Sequence, residues 1–291
     1  MAGKLGPENL NRGQSPISRA LWIALCLALA ACQSGGRTVV HQVQSEYSHI
    51  RVVDDGARRA LYFDSDRFVE TVIDLNEPHR LQLAYARTMM LGLAYAPQPS
   101  SVLLIGLGGG AFVRFLNHNF PDLRLDVVEI DPEVVAVARE YFGASAGPRT
   151  RIFVADGRDY LQRSSERYDL ILLDAHLHPR ETTDRNGHPL SLQTQAFYRS
   201  LHERLRPDGV AVFNMVAASE EGYLRSICPA FAATDVLRTP TRGNAVAVTK
   251  PEGAMPDDGV LLARARALDQ RDAGFSFEQL VAAREKRQCP S

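Results

Sequence analysis

The chain has 291 residues, of which 45% are hydrophobic and 23% are charged, and its formal net charge is −1. These values are typical of a globular protein with one large domain, or one domain with an appendage. The near-neutral charge gives no support for nucleic-acid binding, which usually leaves a basic face. No internal repeat or low-complexity tract is visible.

The N-terminus has the pattern of an export signal. Basic residues precede twelve apolar residues, 20–31, too few for a membrane span of about 20 residues but enough for the hydrophobic region of a secretory signal. The tetrapeptide LAAC, which ends at Cys32, matches the bacterial lipobox, in which the cysteine is acylated after cleavage. We therefore expect a lipoprotein signal peptide over 1–31, lipidation of Cys32 and a flexible tether over 32–37. A soluble protein with an apolar N-terminal helix is the alternative.

This signal predicts a lipid-anchored lipoprotein of the bacterial cell envelope, on the periplasmic side and in the outer membrane. After cleavage, Cys228 and Cys289 would remain besides Cys32. Two cysteines in an oxidising compartment can pair. Because nothing in the sequence brings these two together, we expect two unpaired thiols.

Residues 38–77 are predicted to form a small antiparallel β domain. Apolar and polar residues alternate in the segments HIRVVDD, RALYFDSD and RFVETVIDL, and DDG and DSD interrupt them, which indicates three or four short strands. Pro78 then begins a predicted helix, because the apolar positions from Leu81 to Leu93 recur at helical spacing.

From Ser100 onward strand and helix patterns alternate, which predicts a parallel sheet with crossover helices in a Rossmann-like catalytic domain over 78–250. Near-continuous apolar strands such as SVLLIG and YDLILLDA indicate burial on both faces. Two last strands are expected at TDVLRTP and NAVAVTK, and residues 251–291 are predicted to form a C-terminal helical extension.

Glycines follow the first strand of this sheet, where it turns into a helix. Gly106, Gly108 and Gly109 would let the backbone approach a ligand at the carboxyl ends of the strands. The spacing Gly106-x-Gly108-x-x-Ala111, with Glu129 23 residues after Gly106, also satisfies a dinucleotide-binding pattern. A purely structural turn is the alternative.

Acidic residues end three successive strands. Glu129 ends the second strand, Asp156 ends the third, just before Gly157, and Asp174 ends the fourth. An acid after the second strand can accept both ribose hydroxyls, and one after the third can bind the exocyclic amine of adenine. One such acid can instead cap a helix, as we expect for Asp131. Three in register favour a nucleoside site over a dinucleotide site.

These motifs resemble those of the polyamine aminopropyltransferases, the spermidine synthase family, over about 39–250. The segments that carry the resemblance are SEYSHIRVVDDGARRALYFDSD, VLLIGLGGGA, VVEIDPEVV, VADGRDYL, YDLILLDA and TQAFYRSLHERLRPDGVAVFN. The resemblance implies an α/β fold: a Rossmann-like, seven-stranded doubly wound sheet of the class I AdoMet-methyltransferase type, preceded by the small β domain. It also implies a sulfonium-nucleoside donor, decarboxylated AdoMet in the true synthases, and a homodimer.

The resemblance also implies residue roles. Glu129 would bind the ribose, Asp156 the adenine amine, and Asp174 would be the catalytic acid–base residue. An amine with an unperturbed pKa near ~10 must lose a proton before it attacks the carbon beside the sulfonium. A carboxylate at Asp174 can take that proton. A structural cap at the start of the loop is the alternative for Asp174.

Three positions depart from the family pattern. Gly109 stands where the family has an aspartate that holds the donor's aminopropyl ammonium, and Leu177 replaces a second aspartate. Arg87 stands where an acid is expected, although the neighbouring Tyr85 is kept. Because buried ammonium groups need carboxylate partners, these changes disfavour putrescine as the acceptor and predict an altered acceptor pocket.

The loop AHLHPRETTDRNGHPLSLQ follows Asp174 and is predicted to be a lid over the ligand. His176 and Arg180 are candidate substrate-binding residues together with Tyr85, and Arg180 would suit a substrate carboxylate. The His-x-His spacing from His176 is also compatible with a metal site, but we expect no metal.

Three functions stay open at this point. The first is transfer of an aminopropyl group from decarboxylated AdoMet to an unidentified amine. The second is AdoMet-dependent methyl transfer, with Asp174 or a lid histidine as the base. The third is a catalytically inactive, nucleoside-binding envelope lipoprotein, which export would favour because AdoMet and its decarboxylated form are made in the cytoplasm. No nucleic-acid partner is expected, and the membrane would be reached through Cys32.

Overall fold

The computed structural model describes residues 36–65, 68–177, 182–284 and 289. Contacts group Thr38–Ser291 into one compact unit. The predicted signal peptide, Cys32 and Arg180 lie outside the described residues. Within the described ranges, no helix is both long enough and apolar enough to span a bilayer.

Four antiparallel strands form the N-terminal sheet. They are β1 (Thr38–Gln44), β2 (His49–Asp55), β3 (Arg58–Phe63) and β4 (Val69–Asp74), paired in chain order. Because side chains alternate across a strand, one face carries Ile50, Val52, Leu61 and Ile73, all at most 2% exposed. Thr71 of β4 lies on this buried face, so β4 packs directly against the rest of the molecule.

The second sheet has seven strands. They are β5 (Ser101–Ile105), β6 (Arg124–Glu129), β7 (Thr150–Val154), β8 (Tyr168–Leu173), β9 (Leu205–Val216), β10 (Ala233–Arg238) and β11 (Asn244–Lys250), in the spatial order β10-β11-β9-β8-β5-β6-β7. Strands β5 to β9 pair in parallel. Strands β10 and β11 pair antiparallel, because the short segment between them cannot form a crossover, so the sheet is mixed rather than all parallel.

Helices cover both faces of this sheet. They are α1 (Ala84–Met89), α2 (Gly92–Tyr95), α3 (Ala111–Asn119), α4 (Pro132–Phe142), α5 (Gly157–Arg163), α6 (Gln195–Arg204), α7 (Glu220–Ile227), α8 (Asp258–Leu268) and α9 (Phe277–Ala282). Val102 and Leu104 of β5 belong to one hydrophobic core, while Leu103 and Ile105 belong to the other. The fold is therefore the expected Rossmann-like, doubly wound sheet with a four-stranded sheet before it.

The helix predicted to begin at Pro78 begins instead at Ala84. Arg80 N donates to Glu77 O, which closes a turn in this segment. Arg87 Nε donates a hydrogen bond to Leu81 O at 2.7 Å. This carbonyl therefore bonds to a side chain and not to a backbone N–H of a helix. Pro78 and the helical spacing of the apolar residues therefore did not mark the true start of the helix.

The C-terminal helices pack on the large sheet's core. Leu261 and Ala265 of α8 and Phe277 and Val281 of α9 are fully buried. Beyond them, Cys289 forms a disulfide with Cys228, with a Cα–Cα distance of 5.9 Å. The expectation of two unpaired thiols was wrong, because the pairing depends on how α8 and α9 return the chain to the end of α7.

Candidate active site

A cavity of about 550 Å³ lies between β4 and the carboxyl edge of the large sheet. Parallel strands all present their carboxyl ends at one edge, so residues that follow different strands meet there. The cavity wall contains six of the residues predicted to bind the donor or to act in catalysis: Gly106, Gly108, Glu129, Asp156, Gly157 and Asp174.

Gly106 allows two strand ends to approach each other closely. Its φ is +95°, and a Cβ atom there would lie 2.2 Å from the backbone oxygen of Asp174. Only glycine fits this position, for both conformational and steric reasons. The glycine turn is therefore set directly beside the proposed base.

Gly109 lies behind the cavity wall rather than in it. Its backbone N donates to Thr71 Oγ1 at 2.9 Å. A Cβ at this position would lie 2.8 Å from Thr71 Cγ2 and 3.1 Å from Phe142 Cδ1. The glycine therefore permits close packing of the turn against β4, and the structure gives it no contact with the cavity.

Glu129 supports the glycine turn as well as facing the cavity. Its Oε2 accepts from Leu107 N at 2.8 Å, and its Oε1 accepts from Asp131 N at 3.0 Å. Burial raises the pKa of Glu129, and these backbone hydrogen bonds oppose the rise. Each carboxylate oxygen can accept more than one hydrogen bond, so the side chain still has capacity for ribose hydroxyls.

Asp156 and Asp131 both cap helices. Asp156 Oδ1 accepts from Arg158 N at 2.7 Å at the start of α5. Asp131 accepts from Glu133 N at 2.9 Å at the start of α4, the capping role expected for it. Among the described residues no donor lies on Asp156 Oδ2, which leaves that oxygen for an adenine amine.

Asp174 lies at the floor of the cavity, held by two side-chain donors. Asn214 Nδ2 donates to Oδ1 at 2.7 Å, and the Tyr85 hydroxyl donates to Oδ2 at 3.3 Å. Asn214 is itself oriented by Asn244, whose Nδ2 donates to Asn214 Oδ1 at 3.0 Å. Burial raises the pKa of Asp174 to about 6, and the bonds from Asn214 and Tyr85 limit the rise. A carboxylate with this pKa can accept a proton near neutral pH.

A chain of side chains runs from Asp174 into the following loop. His176 Nδ1 is 3.8 Å from Asp174 Oδ1, and His176 Nε2 is 3.0 Å from His188 Nε2. His188 Nδ1 is 3.1 Å from Asp184 Oδ2. With Asp184 ionised, His188 carries its proton on Nδ1, so its Nε2 accepts from His176. His176 then turns an unprotonated Nδ1 toward Asp174.

Burial lowers the pKa of both His176 and His188 to about 4. Both rings are therefore neutral at pH 7 and bring no positive charge into the cavity. Asp184 keeps a lowered pKa despite its burial, because the backbone N atoms of Asn186 and His188 donate to it. The two neutral rings and the Asp184 carboxylate form an ordered polar wall on one side of Asp174.

Of the other residues expected to shape the substrate pocket, only some line the cavity. Leu177 lines the cavity, whereas Arg87 turns away to Leu81 O. Arg180 is outside the described residues, although Leu177 and Thr182 on either side of the loop gap line the cavity. Within the described ranges, no group of three or more His, Cys, Asp or Glu side chains is arranged as a metal site.

Three contributors to the site were not predicted. Glu70 on β4 lines the cavity, and Asn214 and Asp184 orient Asp174 and His188. Signals for two of them were present: Asn214 is the polar residue in the apolar strand GVAVFNM, and Glu70 interrupts RFVETVID. Neither position could be assigned to the cavity from the sequence, because that depends on how the two sheets pack.

Comparisons with known proteins agree with this geometry. A family model described as the spermine/spermidine synthase domain matches residues 83–226. A curated polyamine aminopropyltransferase from Chromobacterium violaceum is 30% identical over 237 residues, which cover 80% of this chain and 87% of that protein.

Solved structures share the fold. A spermidine synthase in complex with the transition state analogue AdoDATO aligns with a TM-score of 0.67 and 21% identity over 84% of each chain. Human methyltransferase-like protein 13 in complex with SAH aligns with a TM-score of 0.58 and 25% identity, over 71% of this chain and 96% of that one. Together with the sequence similarity over most of the chain, these matches show that the protein belongs to the spermine/spermidine synthase family of transferases.

Proposed function

We propose that the protein transfers an aminopropyl group from decarboxylated AdoMet to an amine. The observation that carries this proposal is that Asp174, whose pKa is raised to about 6 by burial, shares one cavity with the glycine turn, Glu129 and Asp156. A nucleoside held by Glu129 and Asp156 would therefore place its reactive tail near a group able to accept a proton.

The chemistry requires one base and a positioned donor. The amine's lone pair attacks the aminopropyl carbon beside the sulfonium, the N–C bond forms, and the C–S bond breaks with its electron pair moving to sulfur. Neutral methylthioadenosine leaves, and the amine's proton passes to Asp174. Tyr85 and Asn214 hold the Asp174 carboxylate in position through their hydrogen bonds.

The names of the relatives support a donor of this type. The aligned synthase structure holds AdoDATO, and the aligned methyltransferase structure holds SAH, so both sites take a sulfur nucleoside. Leu177 in the cavity and Arg87 outside it stand where the family resemblance implies two acids that would pair with a polyamine. We infer an amine acceptor with fewer positive charges than putrescine.

Release of methylthioadenosine from decarboxylated AdoMet, measured with a panel of monoamines and diamines, tests the proposal. Asp174→Asn should lower kcat by about 10²- to 10⁴-fold, because the amine loses its base, while methylthioadenosine still binds. Asp159→Asn is the matched control, because this acid is 43% exposed and is not part of the cavity wall. An unchanged kcat in Asp174→Asn would refute the proposed base.

AdoMet-dependent methyl transfer is the second candidate. It is favoured by the alignment over 96% of the human methyltransferase structure and by the lack of a carboxylate at Gly109. The same assay with AdoMet separates the two functions: formation of S-adenosylhomocysteine with AdoMet, and no methylthioadenosine from the decarboxylated donor, would establish methyl transfer.

We further propose that the protein is an exported lipoprotein anchored in the cell envelope through Cys32. The signal pattern over 1–31 motivates this, and the Cys228–Cys289 disulfide supports it, because disulfides persist in oxidising compartments. An alkaline phosphatase fusion after residue 40 should be active, and Cys32→Ser should abolish incorporation of labelled fatty acid. An inactive fusion would contradict export.

A further inference from the structure

Glu70 is a half-buried acid in the cavity wall that the proposed chemistry has not used. It lies on β4 next to the buried Thr71, where the pairing of β3 with β4 shifts register, and both residues line the cavity. Among the described residues, no side chain or backbone group donates a hydrogen bond to its carboxylate and no basic side chain pairs with it. Its carboxyl group is therefore free of protein partners and can pair with a ligand that enters the cavity.

The surroundings of Glu70 are negative. Burial, together with the nearby carboxylates of Asp174 and Asp64, raises the pKa of Glu70 to about 8. The Tyr85 hydroxyl lies between the two residues, 3.4 Å from the backbone oxygen of Glu70 and 3.3 Å from Asp174 Oδ2. Because a carboxylate without a counter-charge is costly to bury, a cation bound here would stabilise its ionised form.

The basic groups nearest the described cavity do not supply that cation. His176 and His188 are neutral at pH 7, since burial lowers their pKa to about 4. Arg87 donates to Leu81 O, and Arg114 donates to the backbone oxygens of Gly109 and Phe142. Glu129, Asp131 and Asp156 add further acids to the wall. The cavity therefore suits a positively charged ligand.

Packing between β4 and the glycine turn determines the position of Glu70 in the cavity. Thr71, the next residue, accepts from Gly109 N at 2.9 Å, so β4 is attached to the turn that follows β5. On its other side Glu70 is close enough to Asp174 for the charge of that group to affect its pKa. Glu70 is thus beside the space between the glycine turn and the base, through which the donor's tail must pass.

We propose that Glu70 binds the ammonium at the end of the donor's tail and thereby selects decarboxylated AdoMet over AdoMet. This inference rests on the proposed function. The decarboxylated donor carries an ammonium and no carboxylate in its tail, so it neutralises Glu70. AdoMet carries a carboxylate beside its ammonium, and that carboxylate is repelled by Asp174 and Asp64, and by Glu70 once the ammonium has ionised it. Selectivity arises as much from this repulsion as from the new ion pair.

Calorimetric titration of the purified full chain with decarboxylated AdoMet, AdoMet and methylthioadenosine tests this assignment. Glu70→Gln keeps the side-chain size and removes the charge. It should weaken binding of decarboxylated AdoMet about tenfold or more, leave methylthioadenosine within about twofold, and reduce the preference over AdoMet. Glu77→Gln, which removes a 52% exposed acid just after β4, is the matched control and should change none of these affinities.

Proton release gives a second readout. With a pKa of about 8, Glu70 is mostly protonated in the empty cavity at pH 7 and becomes ionised when the ammonium binds. Titrations in buffers of different ionisation enthalpy should show nearly one proton released per decarboxylated AdoMet bound to the native protein. Glu70→Gln should release almost none, and methylthioadenosine should release none from either protein.

The outcomes separate this inference from the proposed function. If methylthioadenosine binds the native protein but Glu70→Gln binds decarboxylated AdoMet as tightly as the native protein does, the role of Glu70 is refuted and the nucleoside site stands. If neither methylthioadenosine nor the two donors bind the native protein, the proposed function fails and the role of Glu70 fails with it.

Discussion

Glu70 and Asp174 keep their protons to higher pH than exposed carboxyls do, because both are buried, with pKa values of about 8 and about 6. Between the pKa of the unfolded chain and that of the folded protein, the folded state binds more protons. These two groups therefore contribute stability at low pH that is lost as the pH rises through their folded pKa values.

His176 and His188 act in the opposite direction. Their pKa values fall to about 4 on folding, so between about pH 4 and the unfolded value of 6.5 the unfolded chain binds more protons. Stability in that window falls as the solution is acidified. The effect of the histidines ends near pH 6.5, and the effect of Glu70 continues to lower stability from there to about pH 8, so the optimum of stability is expected near pH 6.5.

At the residue scale we predict that Glu70→Gln changes the pH dependence of stability. Near pH 5 the native Glu70 is protonated in the folded protein, so the variant and the native protein should differ little in Tm. By pH 9 the native carboxylate is ionised in its buried position, close to Asp174, Asp64 and Tyr85. The variant, without a ligand, should then have the higher Tm. Thermal melts from pH 5 to pH 9 measure this, and a constant difference would contradict the raised pKa.

At the scale of elements, β4 and the glycine turn can pack closely because Gly109 has no side chain. A Cβ at Gly109 would meet Thr71 Cγ2 at 2.8 Å and Thr71 Cβ at 3.0 Å. This explains why the aspartate implied by the family resemblance has no room at Gly109 in this chain. The strand that excludes it brings its own carboxyl group, Glu70, to the cavity.

Gly109→Ala should destabilise the protein by about 1–3 kcal/mol, because it overpacks this contact. Thr71→Ser removes the nearest atom, Cγ2, and keeps the hydroxyl that accepts from Gly109 N. The double variant should therefore be more stable than the sum of the two single changes predicts. Urea unfolding of the four proteins measures the coupling, and strict additivity would show that the contact is not the cause.

The disulfide joins the end of α7 to the chain beyond α9, across 61 positions of sequence. Closing so long a loop restricts the unfolded chain, so Cys289→Ser should cost about 2–4 kcal/mol of stability. Reductant should lower the Tm of the native protein and leave that of the variant unchanged. Equal melting of the native protein with and without reductant would contradict a stabilising disulfide.

At the scale of the whole molecule, the large sheet was predictable because its strands are apolar on both faces and are separated by helices. The positions of Glu129, Asp156 and Asp174 at one edge followed from that topology. Contacts between distant segments were not predictable. The role of Glu70 depends on docking of the N-terminal sheet, and the Cys228–Cys289 pairing on the path of the C-terminal helices.

Titration of the purified protein with methylthioadenosine, compared with Asp156→Asn, tests the nucleoside site most directly. Asparagine still caps α5 through its oxygen, so the Tm should not change, but it turns an amide donor toward the adenine amine in place of Oδ2. We predict binding to the native protein and at least about tenfold weaker binding to the variant. Equal affinity of the two proteins, or no binding to the native protein, would contradict a nucleoside site in this cavity.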